Sequence, residues 1–289
     1  MGFIAYVNGA YVPHAEAQVA IEDRGYQFAD GVYEVAPICN GAIVDLKEHL
    51  DRLDNSLAGL RIAWPMPRRA LELVMAELNR RNRVGEGIIY LQISRGVAPR
   101  DHGFPKSTVR PSLVITTKAV PWPRQADDDT GVSIITTPDN RWGRCDIKAI
   151  ALLPNVMGKQ RAREANAFEA WFVRPDGTIA EGASTNAWLV DGEGRLVTRP
   201  LGPEILPGVT RATVIRLARA AGIPVVERPF SVQELMAARE VFLTSTTALA
   251  RAVTEIDGRP VGNRFPGIVT RRLRGMVLAH YRQGNPGAD

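Results

Sequence analysis

The chain has 289 residues, 45% of them hydrophobic, and a formal net charge of +5. That length suits about two domains, and the mild positive charge is dispersed among acids, as in Asp51-Arg-Leu-Asp54 and Arg161-Ala-Arg-Glu164, which argues against the basic stripe of a nucleic-acid binder. Two cysteines, Cys39 and Cys145, with no CxxC and no neighbouring histidine, give neither a disulfide framework nor a zinc site, so no metal is expected.

The opening Met1-Gly-Phe-Ile-Ala-Tyr lacks the charged start and apolar stretch of a signal peptide and the Ser/Thr of a myristoylation signal. No apolar run approaches the ~20 residues of a membrane span, so a soluble, cytoplasmic chain is expected. Phe3–Val12 breaks at Asn8-Gly9 and Val32–Val44 at Asn40-Gly41, and Asn-Gly between apolar alternations predicts hairpins. Leucines 50, 53, 57 and 60 predict a helix over Lys47–Ile62, and Leu71, Val74, Met75 and Leu78 a second over Pro67–Asn82. Strands follow at Ile88–Ser94 and Arg110–Thr117.

Residues 119–130 combine two prolines with an acidic run, which is linker composition. The chain is thereby divided into an N-terminal domain, 1–120, a linker, 121–130, and a C-terminal domain, 131–289. In the last of these a strand is predicted at Val132–Thr137 and a helix at Pro154–Asn166, opened by its proline. Glu169–Ile179 reads as a hairpin turned at Asp176-Gly177. A helix over Val209–Ala221 ends at Gly222, and Ser231-Val-Gln-Glu234 is a capping box. Strands at Glu240–Ser245 and Ala252–Ile256 precede a basic helix from Gly267 to Arg282. Antiparallel hairpins mixed with helices predict α+β rather than a doubly wound sheet. Neither GxGxxG nor GxxxxGK[ST] is present.

Lys148 stands between Ile147, Ala149 and Ile150. Desolvation disfavours an ammonium, and a neutral amine is the form that makes a Schiff base; a lysine snorkelling its stem over a core edge is the plainer account. Further on comes Glu181-Gly-Ala-Ser-Thr-Asn186, a carboxylate entering a run of small polar residues. Two segments look able to hold a phosphate. Leu206-Pro-Gly-Val-Thr-Arg211 leads into a helix, whose first N–H groups point outward, and Thr244-Ser-Thr-Thr247 puts hydroxyls at a turn. Each alone is equally an ordinary cap or polar turn. Together with an amine and a carboxylate they suit pyridoxal phosphate, which needs a lysine, an anion cradle and an acid beside its ring nitrogen.

Lys148, Glu181–Asn186, Leu206–Arg211 and Thr244-Ser-Thr-Thr-Ala248 together resemble the fold-type IV pyridoxal-phosphate enzymes, from Glu22-Asp-Arg-Gly-Tyr-Gln-Phe to Thr254-Glu-Ile-Asp-Gly258. The resemblance implies a small N-terminal α/β sandwich domain and a larger C-terminal pseudo-barrel domain that binds the cofactor. It also implies that Lys148 is the Schiff-base lysine and proton shuttle and Glu181 the partner of the pyridine nitrogen. Arg52, the backbone of Val209 and Thr210, and the hydroxyl of Thr246 or Thr247 would hold the phosphate; a solvated helix face is the plainer account of Arg52. The segment Arg100-Asp-His102 resembles the loop of D-amino acid aminotransferases, in which an Arg-x-His pair and a tyrosine, here Tyr33, trap the substrate carboxylate. Arg offers a fork matched to that group.

What this resemblance implies is ping-pong transamination between a D-amino acid, D-alanine or D-glutamate, and a 2-oxo acid, pyruvate or 2-oxoglutarate. It implies a homodimer to whose active sites the neighbouring subunit can supply the Arg-x-His loop. Leu206–Arg211 is equally at home in branched-chain L-amino acid aminotransferases. That relative, an R-selective amine transaminase, an aminodeoxychorismate lyase and a non-catalytic cofactor-binding protein stay open.

Overall fold

The computed structural model describes residues 3–126 and 129–284. Residues 127 and 128 of the expected linker, and 1–2 and 285–289 of the expected domains, lie outside that description. The described chain forms two compact units.

In the first unit, β1 (Ile4–Val7) and β2 (Ala10–Pro13) pair through Asn8 and Gly9, whose φ of 49° and 110° are what a two-residue hairpin turn requires. A short helix α1 (Arg24–Phe28) starts at Asp23, whose carboxylate accepts from Gly25 N–H. Next come β3 (Gly31–Cys39), β4 (Ala42–Ile43), α2 (Leu46–Leu60), α3 (Arg68–Asn82), β5 (Gly87–Ser94) and β6 (Ser112–Ala119). The strands make an antiparallel sheet in the order β2-β1-β6-β5-β3-β4. Leu50, Leu53 and Leu57 of α2, with Leu71, Met75 and Leu78 of α3, are buried against Val32, Ile38, Leu91 and Ile115 of the sheet. Each such side chain contributes roughly 1.5–3 kcal/mol by leaving water, so the helices are held by their leucine stripes.

In the second unit the chain runs through β7 (Val132–Pro138), α4 (Leu153–Glu164), β8 (Glu169–Val173), β9 (Ile179–Gly182), β10 (Asn186–Val190), β11 (Leu196–Thr198) and α5 (Val209–Ala220). It continues through β12 (Val225–Glu227), α6 (Val232–Met236), β13 (Glu240–Ser245), β14 (Leu249–Ile256), β15 (Arg259–Pro260) and α7 (Ile268–Gln283). The sheet order is β12-β11-β10-β13-β14-β7-β8-β9, with β15 on β14. Strand β9 stands at one end of that order yet leads through residues 183–185 straight into β10, where Gly182 N–H donates to Thr185 C=O at 2.7 Å. The sheet therefore curls back on itself into the expected pseudo-barrel, filled by Trp171, Leu189, Val197, Phe230 and Leu243. Three pairings, β14–β7, β7–β8 and β11–β12, are parallel. Hairpin signals did not forecast them, because β7 and β8 are joined across α4, β11 and β12 across α5, and β7 and β14 stand far apart in the chain.

The units do not follow one cut along the chain. Their division falls after Trp122, and Ile147–Ala151 and, among the described residues, 281–284 belong with the first unit. This differs from the expected boundaries at 120 and 131 for a physical reason. Trp122 is buried, donates from Nε1 to Ile38 C=O at 2.8 Å, and meets the Tyr281 ring edge-on at 5.4 Å. Ala149 bridges Val32, and Tyr33 N–H donates to Lys148 C=O at 3.0 Å. Among the described residues no helix is long and apolar enough to cross a membrane.

Candidate active site

In the first unit, Lys148 is held at both its backbone ends. Its N–H donates to Ser56 Oγ at 3.1 Å and its carbonyl takes the Tyr33 N–H. Ile147 and Ala149 are buried, as their apolar character demands, while Lys148 itself is half-buried. Its Nζ lies 4.1 Å from the centre of the Tyr33 ring. That ring in turn packs at 5.8 Å on Tyr90, whose phenol burial, and then the nearby Tyr33, push up to about 12. The amine and the tyrosine singled out from the sequence therefore share one place.

Side chains alternate along β3, so Glu34 points opposite to Tyr33 and toward α2. There His49 and Arg52, three residues apart on one helix face, meet it. Arg52 Nε donates to Glu34 Oε1 and Nη2 to Oε2, both at 2.7 Å, and His49 Nδ1 lies 2.8 Å from Oε2. All three are buried. Burial raises the Glu34 carboxyl, but the charge and hydrogen bonds of Arg52, with those of His49, outweigh it and bring the group down to about 2. His49 is pushed below its ordinary value, chiefly by burial. Arg52 is thus an internal cation gripped by a carboxylate, not the solvated helix-face residue that amphipathicity allows.

In the second unit Glu181 closes β9, buried, with donors on both oxygens. Arg141 Nη1 donates to Oε1 at 2.5 Å, Asn186 Nδ2 to Oε2 at 2.9 Å, and Leu206 N–H to each at 3.1 Å. Arg141 is itself gripped by both oxygens of Asp139 at 2.9 Å and lies 4.7 Å over the Phe172 ring. Its own burial opposes the charge, yet the hydrogen bonds of Asp139 and the charge of Glu181 hold its proton more tightly than usual. Asn186 also donates to Leu206 C=O at 3.0 Å, and a Cβ on Gly208 would collide with its carboxamide oxygen. The Glu181 carboxylate and the start of α5 are therefore locked together through one asparagine.

Helix α5 begins at Gly208 with no side-chain cap, its first residues being Val209 and Thr210. The first N–H groups of a helix point outward and favour an anion. Thr246 and Thr247 follow β13, against which α5 packs, and are half-buried and exposed respectively. An acid beside a site for an anion is the donor set that a phosphorylated pyridine calls for.

The expected carboxylate trap is brought together only in part. Arg100 and His102 are exposed and meet at Phe28, the Arg100 guanidinium 4.9 Å over its ring and the His102 ring 5.4 Å from it. Tyr33 stands instead with Lys148. No hydrogen bond or ring contact joins these two places among the described residues, and none of them offers three or more His, Cys, Asp or Glu able to hold a metal.

The model of the amino-transferase class IV family matches residues 31–256. The chain belongs to the class IV aminotransferases. Among its relatives in this family is a D-alanine aminotransferase of Bacillus licheniformis, 42% identical over 92% of this chain and 93% of the other. Another, from Staphylococcus haemolyticus, is 38% identical over 93% and 94%. Among solved structures, a branched-chain amino acid aminotransferase from T.th., with pyridoxamine 5′-phosphate, matches at a TM-score of 0.90, 27% identity, and 99% and 96% coverage. Class IV members of both substrate types therefore share this fold.

Glu34, His49 and Arg141 escaped sequence reasoning. A charged residue inside a strand pattern, as at Glu34 in Val32-Tyr-Glu-Val-Ala36, is the one signal that could have revealed a buried ion pair. For Arg141, four other charged residues nearby in Asp139-Asn-Arg-Trp-Gly-Arg-Cys-Asp-Ile-Lys148 left it indistinguishable from a surface residue.

Proposed function

We propose that this chain transfers an amino group between a D-amino acid and a 2-oxo acid, D-alanine or D-glutamate with 2-oxoglutarate or pyruvate, using pyridoxal 5′-phosphate. The observation that carries the cofactor is the linked set in the second unit, with Glu181 clamped by Arg141 and tied through Asn186 to the start of α5. The D-amino acid preference is supported by likeness to D-alanine aminotransferases along almost the whole chain.

When bound, the cofactor supplies an electron-poor ring that stabilises negative charge at the substrate Cα. Lys148 Nζ takes the proton from that carbon and later returns one, serving as base and then acid. Tyr33, 4.1 Å from Nζ, forms a wall beside the amine and limits where it can swing. Glu181, held by Arg141, Asn186 and the Leu206 N–H, would supply the carboxylate beside the ring nitrogen. Val209 and Thr210 at the head of α5, with Thr246 or Thr247 and Arg52, hold the phosphate.

Arg100 and His102 hold the substrate carboxylate. Because they stand at Phe28 and not at Tyr33, we place them in service of the neighbouring subunit of a cytoplasmic homodimer.

A substrate panel tests the reading. D-alanine with 2-oxoglutarate is expected to turn over, L-leucine and (R)-1-phenylethylamine far more slowly. Turnover of L-leucine without D-alanine would replace the reading with a branched-chain one, and pyruvate released without an amino acceptor would make the chain a lyase. Lys148→Ala is expected to abolish both turnover and the near-visible absorbance of the bound cofactor; retention of either removes Lys148 from its role.

A further inference from the structure

A loop that captures a carboxylate must hold its cation in one place, yet Arg100, Asp101, His102 and Phe104 are all exposed. What fixes them lies underneath. Arg24, 3% exposed, sends Nη1 to Asp101 C=O at 2.6 Å and Nη2 to His102 C=O at 3.4 Å. One guanidinium thus grips two successive carbonyls in the segment that carries the trap. Its remaining edge, Nε, is held by Asp30 Oδ2 at 2.8 Å.

Asp30 is shared. Arg95 Nε and Nη2 take its two oxygens at 2.7 and 2.9 Å, and Arg95 then donates to Leu60 C=O and Arg61 C=O at 2.8 and 3.0 Å, at the end of α2. Phe104 lies over Arg95 at 3.8 Å and over Arg61 at 4.7 Å. The root of the loop is also stitched by backbone, since Arg24 N–H donates to Gly96 C=O at 2.9 Å and Arg95 N–H to Asp30 C=O at 3.0 Å. The chain from Arg95 to Phe104 is therefore fastened at its root by main chain, at its tip by Arg24, and at its far side by Phe104 on two arginines.

We propose that Arg24 is the positioning residue of the carboxylate trap: through Asp101 and His102 carbonyls it sets where Arg100 and His102 point, and so determines affinity for substrates that carry a carboxylate. This rests on the assignment of Arg100 and His102 as that trap. Arg24 touches no substrate. A planar fork spans two carbonyls where an ammonium reaches one, so arginine and lysine are not equivalent here. Phe28 adds a platform that Arg24, at 4.8 Å, shares with Arg100 and His102.

The test is a double-mutant cycle in the holoenzyme with D-alanine, using Arg24→Met, Arg100→Ala and the pair, with Arg24→Lys as partial rescue. Arg24→Met keeps the stem and removes the donors. It is expected to raise KM for D-alanine by about tenfold, as befits losing alignment by charge-assisted hydrogen bonds, with kcat within about twofold and cofactor binding unchanged. On the Arg100→Ala background it is expected to raise KM by clearly less than it does alone, since only His102 is left to misplace and residues acting through one another are not additive. Amide exchange at residues 101–104 is expected to quicken in Arg24→Met and to return part-way in Arg24→Lys. Effects that multiply, or a KM unmoved by Arg24→Met while Arg100→Ala raises it, overturn the proposal alone. If Arg100→Ala itself leaves KM unmoved, the trap assignment falls and the proposal with it. Should Arg24→Met fail to fold, the Arg24→Lys cycle decides, with a KM equal to that of the unaltered enzyme counting against the proposal.

Discussion

Two arginine–carboxylate centres, one in each unit, use the same chemistry to opposite ends. At Glu34–Arg52 one carboxylate meets one guanidinium through two bonds of 2.7 Å, with a buried histidine whose proton affinity is lowered. The charges of Glu34 and Arg52 balance. At Asp139–Arg141–Glu181 two carboxylates share one guanidinium, and the outer oxygen of Glu181 is met by the amide groups of Asn186 and Leu206. Among the three charged side chains in contact, negative charge is in surplus. A balanced centre holds its guanidinium in one place, whereas an excess of negative charge suits a partner of opposite sign. On the function proposed above, that partner is a protonated ring nitrogen at Glu181, while the first centre fixes Arg52 for the phosphate.

Substitutions at the two carboxylates sharpen that contrast. Glu181→Gln is expected to lower kcat by roughly 10²–10³, the scale of removing one preorganised electrostatic group, with little change in denaturation midpoint; an unchanged kcat would strip Glu181 of its role. Glu34→Gln is expected to do the reverse and cost about 3 kcal/mol of stability, since it leaves Arg52 buried without its counter-charge.

Acid carries the signature of the balanced centre. The Glu34 carboxyl titrates at 4.5 in the unfolded chain and at about 2 in the folded one. Its contribution, about 3 kcal/mol by linkage, is present above pH 4.5 and lost as pH falls toward 2. His49, also depressed, adds a loss that begins as pH drops below 6.5, where the unfolded chain takes up the proton first. Stability measured from pH 7 to 2 is expected to decline in those two windows, and Glu34→Gln to flatten the lower one; a lower limb as steep as before would contradict the balanced-pair account.

The smallest effect is expected at the hinge of the second centre. Arg141→Met removes the cation that grips the Glu181 carboxylate. A fall in kcat of about tenfold is expected, smaller than that of losing the carboxylate itself. An unchanged kcat would show that Asn186 and Leu206 suffice.

Local signals were legible wherever the backbone dictates the residue. Asn8-Gly9, Asn40-Gly41 and Asp257-Gly258 all adopt positive φ, Gly222 does the same beyond α5, and Ser231 with Glu234 forms its capping box. Leucine spacing placed α2 and α3 within one or two residues at their ends. Strands β10 and β11 were not legible. Every residue in them is buried, so their sequences show no alternation of apolar and polar positions. Lys148 and Glu181 stood out because their neighbours are unusual in kind. Arg24, Glu34 and Arg141 did not, because nothing beside them in the chain is.

By itself, then, the sequence determined turns, caps, helices and the residue types of a cofactor site, all consequences of steric rules acting over a few residues. Tertiary structure alone decided which charges meet. Arg24 reaches carbonyls at positions 101 and 102, Arg52 reaches Glu34, and Arg141, after β7, reaches Glu181 on β9. Such pairings join chain segments with no shared periodicity, and burial fixes them, since a charge taken out of water must find its partner wherever the fold brings one.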